Sequence, residues 1–149
     1  MKREYPKQPL IGVGAIIITE GRILLVKRGT EPGKCKWSIP GGLVKLGESV
    51  QETATREVKE ESNLNVDAYS LIDVVNNLEK DSNGNLLYHF VIIDFFMKLK
   101  SGVLAAGSDA LMARWVPFDE VEEYNLTSNF RDFFRRNRKR LEQLDSTNC

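Results

Sequence analysis

The chain alternates apolar, β-branched runs with two amphipathic helical stretches, which predicts an α+β or α/β domain. Three observations carry that class. The runs fall in the order strand, strand, helix, strand, strand, strand, helix. The 149 residues are the size of one domain, 1–149, long enough to bury a real core. The chain is 42% hydrophobic and 28% charged, with 21 basic against 21 acidic residues, so composition predicts neither disorder nor the positive field of a nucleic-acid binder.

Residues 10 to 19 form the first run, and Glu20-Gly21 turns the chain into the second, Arg22 to Arg28, so a hairpin is expected. Gly12 and Gly14 share one face of the first strand, where they serve either packing or the approach of something flat. Residues 29 to 36 contain Pro32 and Gly33 and read as a loop, which continues into Trp37-Ser38-Ile39-Pro40-Gly41-Gly42. A helix is predicted over about 50 to 62, started by Ser49 or Glu48, with Val50, Ala54 and Val58 as its buried stripe. Leu64 to Asn76 and Leu86 to Lys98 read as two strands of a long antiparallel hairpin, joined by a polar turn over 77 to 85 with Asn83-Gly84 at its tip. A loop over 101 to 109, a strand within Ala110 to Pro117 and a short helix from Phe118 to Tyr124 follow. Thr127 is positioned to cap the last helix, whose apolar side is Phe130, Phe133, Phe134 and Leu141.

Six Lys or Arg lie between Arg131 and Arg140; with zero net charge they read as a solvated helix face or dimer rim rather than a polyanion site. No nucleic-acid partner is expected. No apolar run approaches the roughly 20 residues that cross a bilayer, and Met1-Lys2-Arg3-Glu4 leads into no apolar segment, so the expectation is a cytoplasmic chain without a membrane partner. Cys35 and Cys149 do not make a disulfide framework.

One stretch packs acid where folding alone would not. On a helix Glu57, Glu60 and Glu61 stand at i, i+3 and i+4 and repel one another, while Glu48 adds a fourth carboxylate ahead of the helix. The alternatives are a solvated acidic face and a site for a hard divalent cation such as Mg²⁺ or Mn²⁺, whose shell is completed by water and phosphate oxygens.

Residues 42 to 64 match G-x5-E-x7-R-E-U-x-E-E-x-G-U, with U a bulky aliphatic residue, at eight of nine specified positions. Chance agreement this good is on the order of 10⁻⁶ or rarer. The stretch resembles the box of the Nudix hydrolases. The one departure is Asn63 in place of glycine, and Asn is the next most tolerant residue for a left-handed turn. Trp37-Ser38-Ile39-Pro40-Gly41-Gly42 resembles the approach to that box, and Gly107-Ser108-Asp109-Ala110 with Trp115-Val116 resembles the ADP-ribose pyrophosphatase-like subgroup.

The resemblance implies the Nudix fold, an α/β/α sandwich with a mixed sheet between helices, and Mg²⁺-dependent (Mn²⁺ is an alternative) hydrolysis of a nucleoside diphosphate linked to another group. ADP-ribose cut to AMP and ribose 5-phosphate is the expected substrate. A house-cleaning nucleoside triphosphate pyrophosphatase of the 8-oxo-dGTP type is the runner-up, and a non-catalytic ligand sensor is the alternative of another class. Carried onto this chain, the metal would be held by Gly42, Glu57, Glu60 and Glu61. Arg56 would brace a box glutamate, and Glu57, Glu48 or Asp109 would be the base. Arg28 is the candidate for binding the small-molecule nucleotide. Many members are homodimers, so a homodimer is compatible with the resemblance.

Overall fold

The computed structural model describes residues 2–147, so Cys149 lies outside the described residues. Its strands are β1 (Leu10–Thr19), β2 (Arg22–Arg28), β3 (Trp37–Ser38), β4 (Gly41–Leu43), β5 (Asn65–Lys80), β6 (Leu86–Ser101) and β7 (Ala110–Pro117). The helices are α1 (Val50–Ser62) and α2 (Ser128–Thr147), with a 3₁₀ turn over Phe118–Glu123. One seven-stranded sheet runs β3-β2-β1-β6-β5, with β4 paired to β1 and β7 to β2. It is mixed: β1 and β6 are parallel from Leu10↔Phe90 to Ile17↔Met97, and the other ladders are antiparallel. The expected sandwich of a mixed sheet between helices is the observed one.

Alternation along β1 divides the core. Ile16 and Ile18 face α2, where they meet Phe96, Phe130, Phe133, Phe134 and Leu141; Val13, Ala15 and Ile17 face α1, where they meet Ala54, Val58, Phe95 and Met97. Each of these side chains larger than alanine contributes roughly 1.5–3 kcal/mol by leaving water. Phe134 is 0% exposed and packs against both Phe118 and Phe130, so Phe134→Ala would cost about 3–5 kcal/mol. The apolar stripes expected for both helices are thus the faces they bury, with Val50 packed at the margin.

Two segments differ from expectation. The supposed loop into Gly42 contains β3 and β4, which pair with β2 and β1. Strands of two and three residues are too short to show a period, and their Gly and Pro content hid them. The hairpin is also longer. β5 continues to Lys80, because Asn77 and Glu79 pair with Phe90 and Tyr88, and the turn shrinks to 81–85. Asp81 closes that turn by accepting from the backbone N–H of Asn83 and Asn85, each at 2.9 Å.

Along the basic run, Arg135 pairs with Glu122 at 2.6 Å, Arg138 with Glu142 at 2.9 Å, and Arg140 donates to the Ile72 carbonyl at 3.0 Å. These contacts agree with a packed and solvated face. No helix of the described residues is long and apolar enough to cross a membrane.

Candidate active site

Helix α1 is aimed by its ends. The Ser49 side chain accepts from Glu52 N–H at 3.1 Å, and Asn63 ends the helix at φ 65°, its N–H donating to the Lys59 carbonyl at 3.0 Å. The substitution of Asn for Gly therefore keeps the left-handed turn. Asn63 also donates from Nδ2 to the Val103 carbonyl at 3.0 Å, while Ala105 N–H and Gly107 N–H reach the carbonyls of Ser62 and Glu61. These bonds hold the 102–109 loop to the end of α1. Nothing in the sequence pattern signalled them.

Buried Ala54 and Val58 fix the rotation of α1 against the sheet, and that rotation sends Glu57 and Glu61 toward the glycine pair of β4. Gly41 N–H donates to Glu61 Oε2 at 3.2 Å. At Gly42 a Cβ would stand 2.8 Å or less from both carboxylate oxygens of Glu57, so only glycine leaves that carboxylate where it is. The two glycines do not play the same part. Ala15 N–H to Pro40 O and Val44 N–H to Ile11 O fix the antiparallel alternation, which makes Val13/Gly42 a hydrogen-bonded pair and turns the Gly42 carbonyl to β1. Gly41 keeps its backbone groups for the site side.

Arg56 gathers the remaining acids. It meets Glu48 through two bonds, Nε to Oε2 at 2.6 Å and Nη2 to Oε1 at 2.9 Å, and reaches Glu57 at 2.7 Å and Glu60 at 3.3 Å from Nη1. Arg56 first, then the Lys45 N–H, holds the Glu48 carboxyl down at about 2. Burial pushes Glu57 up in spite of Arg56. Burial, followed by the charge of Glu57, pushes Glu61 up to about 8.

A cavity of about 570 Å³ opens beside these groups, lined among others by Glu57, Glu61, Asp109 and Arg28. Arg28 is steadied by donating from Nε to the Pro32 carbonyl at 2.6 Å, and burial lowers its pKa although Glu61 faces it. Asp109 is exposed; its turn is closed by backbone bonds, Ala110 N–H to Gly107 O and Gly29 N–H to Asp109 O, and its carboxylate takes no part in them. Of the sequence candidates, the fold brings together Gly42, Glu57, Glu61, Asp109 and Arg28. Glu60 and Glu48 stand outside the cavity lining, turned to Arg56. Among the described residues no three acidic, His or Cys side chains converge as a complete cation site.

The NUDIX domain model matches residues 8–136, so the chain belongs to the Nudix family. It is 37% identical over 113 residues to a protein of Methanocaldococcus jannaschii named ADP-ribose pyrophosphatase, and 33% identical over 107 residues to a Bacillus subtilis protein named putative 8-oxo-dGTP diphosphatase. Those matches cover 76% and 70% of this chain and 64% of each relative, just under two thirds of their lengths. Among solved structures, the MutT protein of Methanosarcina mazei superposes with a TM-score of 0.75 at 26% identity, over 91% of this chain and 97% of that one.

Proposed function

We propose that the chain hydrolyses the diphosphate of a nucleoside diphosphate linked to another group, with ADP-ribose as best substrate, giving AMP and ribose 5-phosphate. The observation that carries this reading is the pair of half-buried Glu57 and buried Glu61 at the glycines of β4, in one cavity with Arg28. A buried and a half-buried carboxylate with one N–H bond at Glu61 and one guanidinium at Glu57 are short of positive charge, and an all-oxygen donor set suits Mg²⁺ or Mn²⁺. Glu57 and Glu61 would hold the ion, with the backbone contribution first assigned to Gly42 passing to Gly41, and Glu60 acting through Arg56. A bound ion would neutralise phosphate charge and lower the pKa of water.

The chain's own residues then divide the work. Arg28, in the same cavity as the acids, binds a phosphate oxygen of the substrate. One water adds to phosphorus, the bond from phosphorus to the bridging oxygen breaks, and the water's proton passes to a carboxylate. Glu48 is a poor acceptor, since Arg56, Lys45 N–H and Thr53 already engage its oxygens. Asp109, exposed at the cavity with a carboxylate free of hydrogen bonds among the described residues, is the better base, with Glu57 second. The relative named ADP-ribose pyrophosphatase supports the choice of substrate, and the relative named for 8-oxo-dGTP makes that triphosphate the competing one.

The test is kcat/KM for ADP-ribose against dGTP and 8-oxo-dGTP at one Mg²⁺ concentration, with products identified. AMP and ribose 5-phosphate from the preferred substrate are expected. A triphosphate preferred by about tenfold or more, releasing pyrophosphate, would replace the substrate assignment.

A further inference from the structure

The cavity holds another carboxyl that hydrolysis does not use. Asp94 on β6 is 5% exposed and lines the cavity away from α1. Its neighbours in the sheet are Gly14 of β1 on one side and Asp73 of β5 on the other. A Cβ at Gly14 would collide with Asp94 Oδ1, so the glycine makes the room that the carboxyl fills. Gly12 serves the same end one step along, where a Cβ would come within 2.8 Å of Ile92.

Among the described residues nothing donates a hydrogen bond to Asp94. The charges nearest it are Asp73, of like sign, and Arg136, whose ion pair at 3.7 Å is made with Asp73. A buried polar group without a partner is uncommon, and one facing a cavity is completed from the cavity. Burial and then Asp73 push the carboxyl up to about 7, so its negative charge is weakly held near neutrality and a donor from the cavity would stabilise it.

Register gives the spacing. Gly14 pairs with both Asp94 and Gly41, and Gly41 holds Glu61. Asp94 and Gly41 are therefore two strand spacings apart, about 10 Å. That is comparable with the span from the diphosphate to the base edge of an extended nucleotide. Ile39, Phe90, Ile92, Phe130 and Phe133 line the same cavity and offer apolar surface for a flat ring.

We propose that Asp94 is a specificity-determining residue that accepts a hydrogen bond from the exocyclic amino group of a purine base seated on this face of the sheet, an inference that rests on the nucleotide reading above. An amino purine satisfies the carboxylate. Hypoxanthine, which presents a carbonyl at one of those positions and a hydrogen at the other, leaves it unpaired.

Calorimetric binding of AMP, GMP and IMP to the whole chain and to Asp94→Asn tests this without turnover. The wild type should bind AMP or GMP at least about tenfold more tightly than IMP, and Asp94→Asn, whose amide can donate to a ring carbonyl, should reduce that ratio to about threefold or less. Should Asp94→Asn fail to fold, Asp94→Leu provides the comparison and should also flatten the ratio. An unchanged ratio, or uniform weakening of all three ligands, overturns the assignment. So does a dependence on Asp94 that disappears with 2′- or 3′-deoxy-AMP, since the sugar would then be the donor. Failure of the wild type to bind any nucleotide would overturn the nucleotide reading itself, whereas binding with an unchanged ratio removes only the role of Asp94.

Discussion

Arg56 and Glu48 face each other as a two-bond pair, eight residues apart, with both guanidinium contacts at or below 2.9 Å. Planar pairing of this kind fixes orientation as well as charge. Because Nη1 of the same guanidinium contacts Glu57 and Glu60, Glu48 sets the position of Arg56 and Arg56 sets the position of the acids. Arg56→Lys keeps the charge and loses the fork. We expect it to weaken Mg²⁺ affinity by roughly 10 to 100-fold, read as the midpoint of a Mg²⁺ titration of activity, with little change in maximal rate. Unchanged Mg²⁺ affinity in Arg56→Lys would remove the brace.

Gly42→Ala places a methyl against the Glu57 carboxylate, and Gly41→Ala places one against the Val13 carbonyl of β1. A side chain can turn aside, and a backbone carbonyl in a ladder cannot. Gly42→Ala should therefore fold with a loss of about 1–3 kcal/mol while displacing Glu57 and losing activity by at least about 10²-fold. Gly41→Ala should be the less stable of the two. Denaturant titrations of both variants check the order.

The metal-free protein should lose stability as pH rises. Glu61 titrates at about 8 in the folded chain against an ordinary 4.5, so folding favours its protonated form. That stabilisation is complete below about 4.5 and is lost as pH climbs through 8. Asp94, pushed to about 7 from 3.8, acts in the same direction. Melting temperatures in EDTA from pH 5 to 9 should fall for the wild type and fall less for Glu61→Gln. Added Mg²⁺ should restore the wild type at the upper end and leave the variant nearly unchanged.

Asp109 stands on a loop stitched to α1 by backbone bonds that its carboxylate does not join. Asp109→Asn should accordingly preserve the fold and Mg²⁺-dependent stabilisation while slowing turnover by about 10² or more. Wild-type turnover from pH 6 to 9 would leave Asp109 with no chemical part.

What the sequence disclosed of this site was its contiguous part. Arg56, Glu57 and Glu61 lie on one helix, so helical spacing alone places them relative to one another, with Glu48 just ahead of it, and Asn63 announced the end of the helix. The parts set by pairing were hidden. The different duties of Gly41 and Gly42 follow from which residue of β4 lies opposite Val13, and Asp94 reaches the cavity through its register with Gly14. Neither register is written in any local pattern. Glu60, spaced like the other two, lies on the exposed side of the helix with Arg56 3.3 Å away, a placement the spacing alone did not show.

The measurement closest to the chemistry is release of AMP from ADP-ribose as a function of free Mg²⁺, for the wild type and Glu61→Gln under identical conditions. Saturable, Mg²⁺-dependent release by the wild type, falling by at least about 10²-fold in the variant, is the expected result. Full turnover in EDTA, or wild-type turnover by Glu61→Gln, would contradict a metal site built on Glu57 and Glu61.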